Sequence, residues 1–336
     1  DLILREPRIA CRAGELRARV PQVGALAADL SLDSDSARGE ATLELTGMTF
    51  AGGNARVLAR STGARWTLHA TAASLRLAPL RTLLPADLLP ADLDADGHLD
   101  LRVVASGADA RWSEADLEAR LGDVVMQNTA GTLASDGAGA ALQATLRPEG
   151  SGTRWTVRVD ATRGQVLAGP VLLDFGAQPL TLAASGLIAD DVLAVETARF
   201  SQPGLIAGSL AARLLLATVP HLQSARVDVE RLEFPAAYTS FLQLALAATE
   251  LGTLRSHGSA SGHLEWHDGA PRALDAVFSG LEFDDRARRL ALRGVDGHLQ
   301  WDAAGGPQRI SGLAWQSVEL YGIEGGAGAL ALRAHG

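Results

Sequence analysis

Residues 154–162 read Arg154-Trp155-Thr156-Val157-Arg158-Val159-Asp160-Ala161-Thr162. Apolar Trp155, Val157, Val159 and Ala161 alternate with Thr156, Arg158, Asp160 and Thr162. Successive side chains of a strand point to opposite faces, so this period of two predicts a strand with one apolar and one wet face. The pattern returns along the chain. Ala41, Leu43 and Leu45 alternate with Thr42, Glu44 and Thr46, and Trp66, Leu68 and Ala70 with Thr67, His69 and Thr71. Ala225, Val227 and Val229 do the same against Arg226, Asp228 and Glu230.

Between such runs stand Gly52-Gly53-Asn54, Asp136-Gly137, Glu149-Gly150-Ser151-Gly152, Asp268-Gly269 and Gly305-Gly306-Pro307. These are hairpin and short-loop signals. Strand–turn units without long helices between them predict antiparallel meanders. Short phrases also recur. Gly97-His98-Leu99, Gly262-His263-Leu264 and Gly297-His298-Leu299 each open an alternating run, and the last two continue to Trp266 and Trp301. Arg65-Trp66, Arg111-Trp112 and Arg154-Trp155 start others. Repetition of a strand–turn unit predicts a stacked array more than a compact body around one pocket.

Two interruptions read as helical. Near 77–89, Leu77, Leu80, Leu83, Leu84 and Leu88 share one side, with Pro79 and Pro85 as start or break signals. Over 234–249, Phe234, Tyr238, Phe241, Leu242, Ala245, Leu246 and Thr249 follow helical spacing, with Pro235 suited to the first turn. No low-complexity linker separates these parts, so residues 1–336 read as one continuous β-array with helical punctuation.

Hydrophobic residues make up 47%, which argues against disorder, while aromatics are only 4%. Thin, half-buried strands suit that composition better than a bulky core. The net charge of -9 argues against nucleic acid or an anionic membrane surface as the main partner. Every basic side chain other than histidine is Arg, and a GC-rich coding sequence is the simplest explanation. Cys11 is the single cysteine, so no internal disulfide framework is expected. No apolar run reaches the ~18 residues of a spanning helix. The chain starts at Asp1 and stops at Gly336 in mid-pattern, as expected of a segment of a longer protein.

Catalytic and metal chemistry find weak candidates. The histidines are scattered without zinc spacing. His263 and His267 share a strand face but stand about 13 Å apart at the strand rise, too far for one ion. Asp92, Asp94, Asp96 and Gly97 resemble the opening of a calcium loop, but Val103 occupies the position where an EF-hand needs its Glu. Asp190-Asp191 and Asp284-Asp285 are read as turn residues, which build no acid–base pair by themselves. There is no nucleophile elbow and no phosphate-binding glycine loop. An enzyme is not expected, and neither a cofactor nor a metal is called.

The apolar side of the alternating runs is the candidate site. It comprises Leu43, Leu45, Trp66, Leu68, Trp155, Val157 and Val159, and further on Val227, Val229, Leu264, Trp266, Leu299 and Trp301. One long amphipathic sheet needs a second layer over its apolar face. Two short helical segments do not supply it.

The Leu/Pro phrase from Leu75 to Val103, the Gly-His-Leu strands with their trailing Pro271 and Pro307, and the Ala-, Leu- and Gly-rich meander resemble the AsmA-like proteins of Gram-negative bacteria, including the YhdP, TamB and YdbH types, which are bridge-like lipid transfer proteins. The resemblance implies a long, curved antiparallel sheet forming an elongated apolar groove. It implies that phospholipid acyl chains lie in that groove in the periplasm, between an inner-membrane anchor outside this segment and an outer-membrane partner. Other readings are a structural or assembly factor for outer-membrane biogenesis that carries no lipid, a surface β-solenoid adhesin, and a β-rich hydrolase.

Overall fold

The structure, a computed structural model, describes residues 2–5, 8–20, 24–80, 92–217, 220–285, 289–303 and 310–333. Strand accounts for 78% and helix for 6%, as the period-two reading requires. Contacts divide the chain into two units, Asp1–Gly164 and Gln165–Gly336.

The first unit begins with β1 (Leu2–Arg5), β2 (Arg8–Val20), β3 (Gly24–Asp35), β4 (Glu40–Phe50), β5 (Gly53–Thr62) and β6 (Arg65–Arg76). A short helix, α1 (Leu77–Leu80), leads toward β7 (Asp94–Ala108), β8 (Arg111–Gln127) and β9 (Leu133–Glu149). The unit ends within β10 (Gly152–Ala168). Each strand from β1 to β8 pairs antiparallel with the next. Of the helix expected over 77–89, the structure places one turn, and residues 81–91 lie outside the described residues, as does the Gly305-Gly306-Pro307 turn.

The second unit contains β11 (Val171–Asp174), β12 (Leu180–Ala189), β13 (Val192–Gln202), β14 (Ile206–Leu215) and β15 (His221–Phe234). A π-helical turn (Tyr238–Leu242), α2 (Gln243–Leu246) and a 3-10 turn (Glu250–Thr253) follow. Then come β16 (Leu254–His267), β17 (Ala270–Asp285), β18 (Leu290–Asp302) and β19 (Ile310–Trp315). The last strands are β20 (Ser317–Leu320), β21 (Ile323–Gly325) and β22 (Gly328–Arg333). Strands β12 to β18 form a consecutive antiparallel meander. All described strands belong to one long antiparallel sheet, and it is not closed into a barrel.

Most extra residues of the ladders fall on alternate strands, with further ones on β9 and β18. In the first unit the bulges lie on β2 between Cys11 and Gly14, on β4 between Leu45 and Met48, on β6 between Ala72 and Leu75, and on β8 between Leu121 and Val124. In the second they lie on β13 between Val195 and Ala198, on β15 between Val229 and Leu232, and on β17 between Phe278 and Leu281. A bulge bends its strand and sharpens the local twist, and bulges repeated at matching places curve a sheet. Leu75, Ala198 and Leu281 stand just past three of these bulges and are among the few apolar side chains that are fully buried.

The Gly-His-Leu phrase does not open strands, contrary to the sequence reading. It sits inside β7, β16 and β18, because the chain is already extended before each glycine. The glycine is where a neighbouring backbone comes close. A Cβ on Gly297 (φ +150) would meet the Gly312 carbonyl oxygen at 2.1 Å, and one on Gly262 would meet that of Asp275 at 2.0 Å. His98 stands opposite Gly122, and His298 opposite Gly312. The third ring, His263, faces Asp275 instead.

Three further expectations change. Asp136-Gly137 is not a hairpin turn but lies within β9, where Gly137 (φ +58) adjoins a register shift. Asp284 and Asp285 belong to β17, and Asp285 is buried against Arg289 at 2.5 Å, whereas Asp190-Asp191 does form the β12–β13 turn. In the second helical segment Tyr238 is buried, but Leu242 and Ala245, expected on the same side, are exposed. The π-turn inserts a residue into the helical count and rotates everything after it.

Candidate functional site

Strand register decides which apolar side chains meet. In the first unit one row runs Leu32–Leu43–Ala59–Leu68–Ala105–Ala115–Leu146 from β3 to β9. Beside it runs Leu30–Leu45–Val57–Ala70–Val103–Leu117–Ala144. Trp66 belongs to a third row, between Ser61 on β5 and Gly107 on β7. On β10, Trp155, Val157 and Val159 are half-buried, while Thr156 and Arg158 are exposed. The Trp155 indole N–H is buried and has no hydrogen-bond partner.

The second unit repeats the arrangement. Ala198, Leu210, Val227, Leu264, Leu274 and Trp301 form one row from β13 to β18. Phe200, Gly208, Val229, Gly262, Ala276 and Leu299 form the next. Trp266 lies in a third, opposite Ala225. The residues expected from the sequence thus fall into two sets, one in each unit, and within each set they share the apolar side of the alternation. Val57, Val103, Leu117, Leu210 and Leu274 belong to the same rows but were not singled out from the sequence. Their strands alternate too, although Val103-Val104 and Leu214-Leu215 blur the period.

Most side chains of these rows are half-buried, with Ala198 buried and Trp301 exposed. The total accessible surface is 20327 Å². A compact protein of this mass exposes about 13,000 Å², and two separate compact halves about 16,000 Å². The excess therefore does not depend on how the units are arranged. Such an excess accords with a sheet in which few apolar side chains are fully buried.

The opposite face carries charge in ladders. Arg226 reaches Asp228 at 3.2 Å and Glu265 at 3.6 Å, and Arg147 reaches Glu114 at 2.5 Å. Arg158 meets Asp160, two residues along its own strand, at 2.8 Å. Hydrogen bonds from Arg8 hold the Asp33 carboxyl below the usual carboxylate range, and those from Arg154 do the same for Glu149. Such exposed pairs add little stability individually, but they fix which face is wet. A depression of about 490 Å³ opens on this face of the first unit, among Arg102, Asp116, Glu118, Gln143, Thr145 and Arg158.

Asp92, the first acid of the calcium-like phrase, accepts a hydrogen bond from the Thr129 backbone N–H at 2.9 Å, and Asp96 accepts from that of Gly97 at 2.7 Å. Both carboxylates thus serve the local chain path. Among the described residues no group of His, Cys, Asp and Glu is placed to hold a metal ion, and no helix is long and apolar enough to cross a membrane. No family model matches the chain, and neither does any curated protein or solved structure.

Proposed function

We propose that the apolar face of each sheet holds phospholipid acyl chains, and that the chain is a periplasmic segment of a protein moving lipid between the inner and outer membranes. The observation that carries this reading is the pair of apolar rows crossing successive strands while remaining half-exposed. Each methylene withdrawn from water contributes about 0.8 kcal/mol, so an acyl chain gains binding energy along such a row without specific polar contacts. Neighbouring rows of similar side chains offer similar binding at each step, which suits movement better than tight capture. Small side chains such as Ala59, Ala70, Ala105 and Ala276 leave room for a chain to shift. The inner-membrane anchor and the outer-membrane partner belong to this proposal, as does the absence of catalysis.

A purely structural sheet is the second reading. Trp66 favours it locally, because its ring is seated on Gly107 and does not stand free. Photocrosslinking in cells separates the two. A photoreactive residue at Val157, Val229 or Trp301 should yield lipid adducts, while one at Arg158, on the wet face, should not. Folded protein without adducts at any of the three positions would mean the face is covered by protein.

A further inference from the structure

The second unit has a depression of about 420 Å³ on its wet face. Its polar wall is built by register. Arg213 on β14 stands opposite Ser224 on β15, which stands opposite His267 on β16. Directly opposed side chains on neighbouring strands have Cβ atoms about 5 Å apart, so the three groups are adjacent. In the next row Arg226 on β15 faces Glu265 on β16. Arg272 arrives differently. Glu265 pairs with Ala273 and Trp266 with Pro271, so Arg272 is the extra residue of a bulge on β17. Bulges leave one residue out of the ladder and re-aim its side chain, and here that residue is an arginine bordering the depression.

The floor is small. Ala194 and Ala211 lie opposite Arg213 and Arg226, on the face where the alternation otherwise places polar side chains. Arg226 is held by Asp228 and Glu265. Arg213 and Arg272 form no ion pair among the described residues, although Glu196 also borders the depression. Two guanidinium groups with no ion pair among the described residues, a third held by Asp228 and Glu265, a hydroxyl and an imidazole therefore border the depression beside Glu196.

We propose that this depression binds the phosphoryl group of a small phosphate ester. Guanidinium forks match phosphate oxygens with paired N–H donors, which a point charge does not. The volume lies in the lower range of small-molecule sites and leaves room for a glycerol- or sugar-sized remainder. Most of its lining comes from the wet rows, with Val195, Ala212, Ala225 and Trp266 of the intervening row also bordering it, and its test reads phosphate binding and not acyl-chain binding. The phosphoryl group can come from a soluble ester or from a phospholipid headgroup.

The test is calorimetric titration of the full chain with sn-glycerol 3-phosphate, beside sedimentation with phosphatidylglycerol vesicles. The unmodified chain should bind the ester saturably. Arg213→Gln with Arg272→Gln should weaken binding at least tenfold, and Arg120→Gln, on the other unit, should leave it unchanged. Arg272→Lys keeps the charge and loses the fork, so it should weaken binding severalfold, and it serves if the double variant does not fold. Vesicle binding lost in the same variants assigns the headgroup source, and ester binding without vesicle binding assigns the soluble source. No saturable binding of either probe, or equal loss with Arg120→Gln, overturns the proposal.

Discussion

Trp66 lies across Gly107 on the neighbouring strand. The two residues are opposite each other in register, and a Cβ built on Gly107 would stand 2.5 Å from the Trp66 ring and 2.2 Å from the Arg111 carbonyl oxygen. The ring covers backbone that a glycine leaves bare, an arrangement that supports glycine within a strand. Because one of the two clashes is with backbone, the ring cannot relieve both by turning away. Gly107→Ala should therefore destabilise the first unit by about 1–3 kcal/mol. Urea denaturation followed by tryptophan fluorescence measures it, with Gly326→Ala as the control, since nothing lies within 4 Å of a Cβ there. An unchanged midpoint for Gly107→Ala would mean that the two strands separate locally without loss.

Ser256 makes the opposite prediction. Its side chain is buried to 1% exposure and its hydroxyl has no partner. It stands opposite Phe283, whose ring meets Phe234 edge to face at 6.0 Å. A buried polar atom without a hydrogen bond carries a desolvation penalty of about 1–3 kcal/mol, and removing the atom removes the penalty. Ser256→Ala should raise the denaturation midpoint, by up to about 1 kcal/mol once the lost volume is counted. A fall in the midpoint would show that the hydroxyl has a water partner.

Asp174 ends β11 and caps the turn that follows. Its carboxylate accepts from the Ala177 and Gly176 backbone N–H groups at 3.0 Å each and from Gln165 at 2.8 Å. These bonds, that of Ala177 foremost, lower its pKa below the ordinary value. A carboxyl whose folded pKa is depressed stabilises the fold above its unfolded value, near 4, and loses that contribution as pH falls through the folded value. The melting temperature of the unmodified chain should exceed that of Asp174→Ala at pH 6, and the gap should narrow toward pH 2.5. A gap independent of pH would assign the effect to the turn's geometry and not to the charge.

What the sequence discloses follows from how far each signal reaches. Which face Val157 or Leu264 occupies is settled within its own strand, because neighbours on the chain point to opposite sides. Which residues share a row is not settled there. Leu43 meets Leu68 through Ala59, and Val227 meets Trp301 through Leu264 and Leu274, only because the intervening ladders keep register. Each bulge resets that count, and residues such as Glu230 and Ser74 carry no obvious bulge signature. The Gly-His-Leu repeat was visible, but its cause, a close backbone on the next strand, requires that strand's identity. Arg272 carries no functional signal in the sequence, and only the bulge on β17 brings it to the depression. The buried Asp285 was misread as a turn residue for a related reason, since Thr253 comes to it through the pairing of β16 with β17, and Arg289 stands four residues on, just before β18.

The acyl-chain reading yields a prediction that exploits the half-exposure of the rows. Leu264 sits in the middle of its row, between Val227 and Leu274, and is only half-buried. A carboxylate placed there keeps access to water, so Leu264→Asp should retain the strand content while breaking the apolar path. A chain lying along the row would have to lift off near the charge. Displacing two methylenes gives back about 1.6 kcal/mol, more than tenfold in affinity. Lipid co-purifying with the protein, quantified by mass spectrometry, should fall by about that factor in Leu264→Asp and stay level in His263→Gln, whose side chain is on the wet face. Equal lipid content in both variants, with unchanged circular dichroism, would mean that acyl chains do not follow this row, and the structural reading of the sheet would take its place.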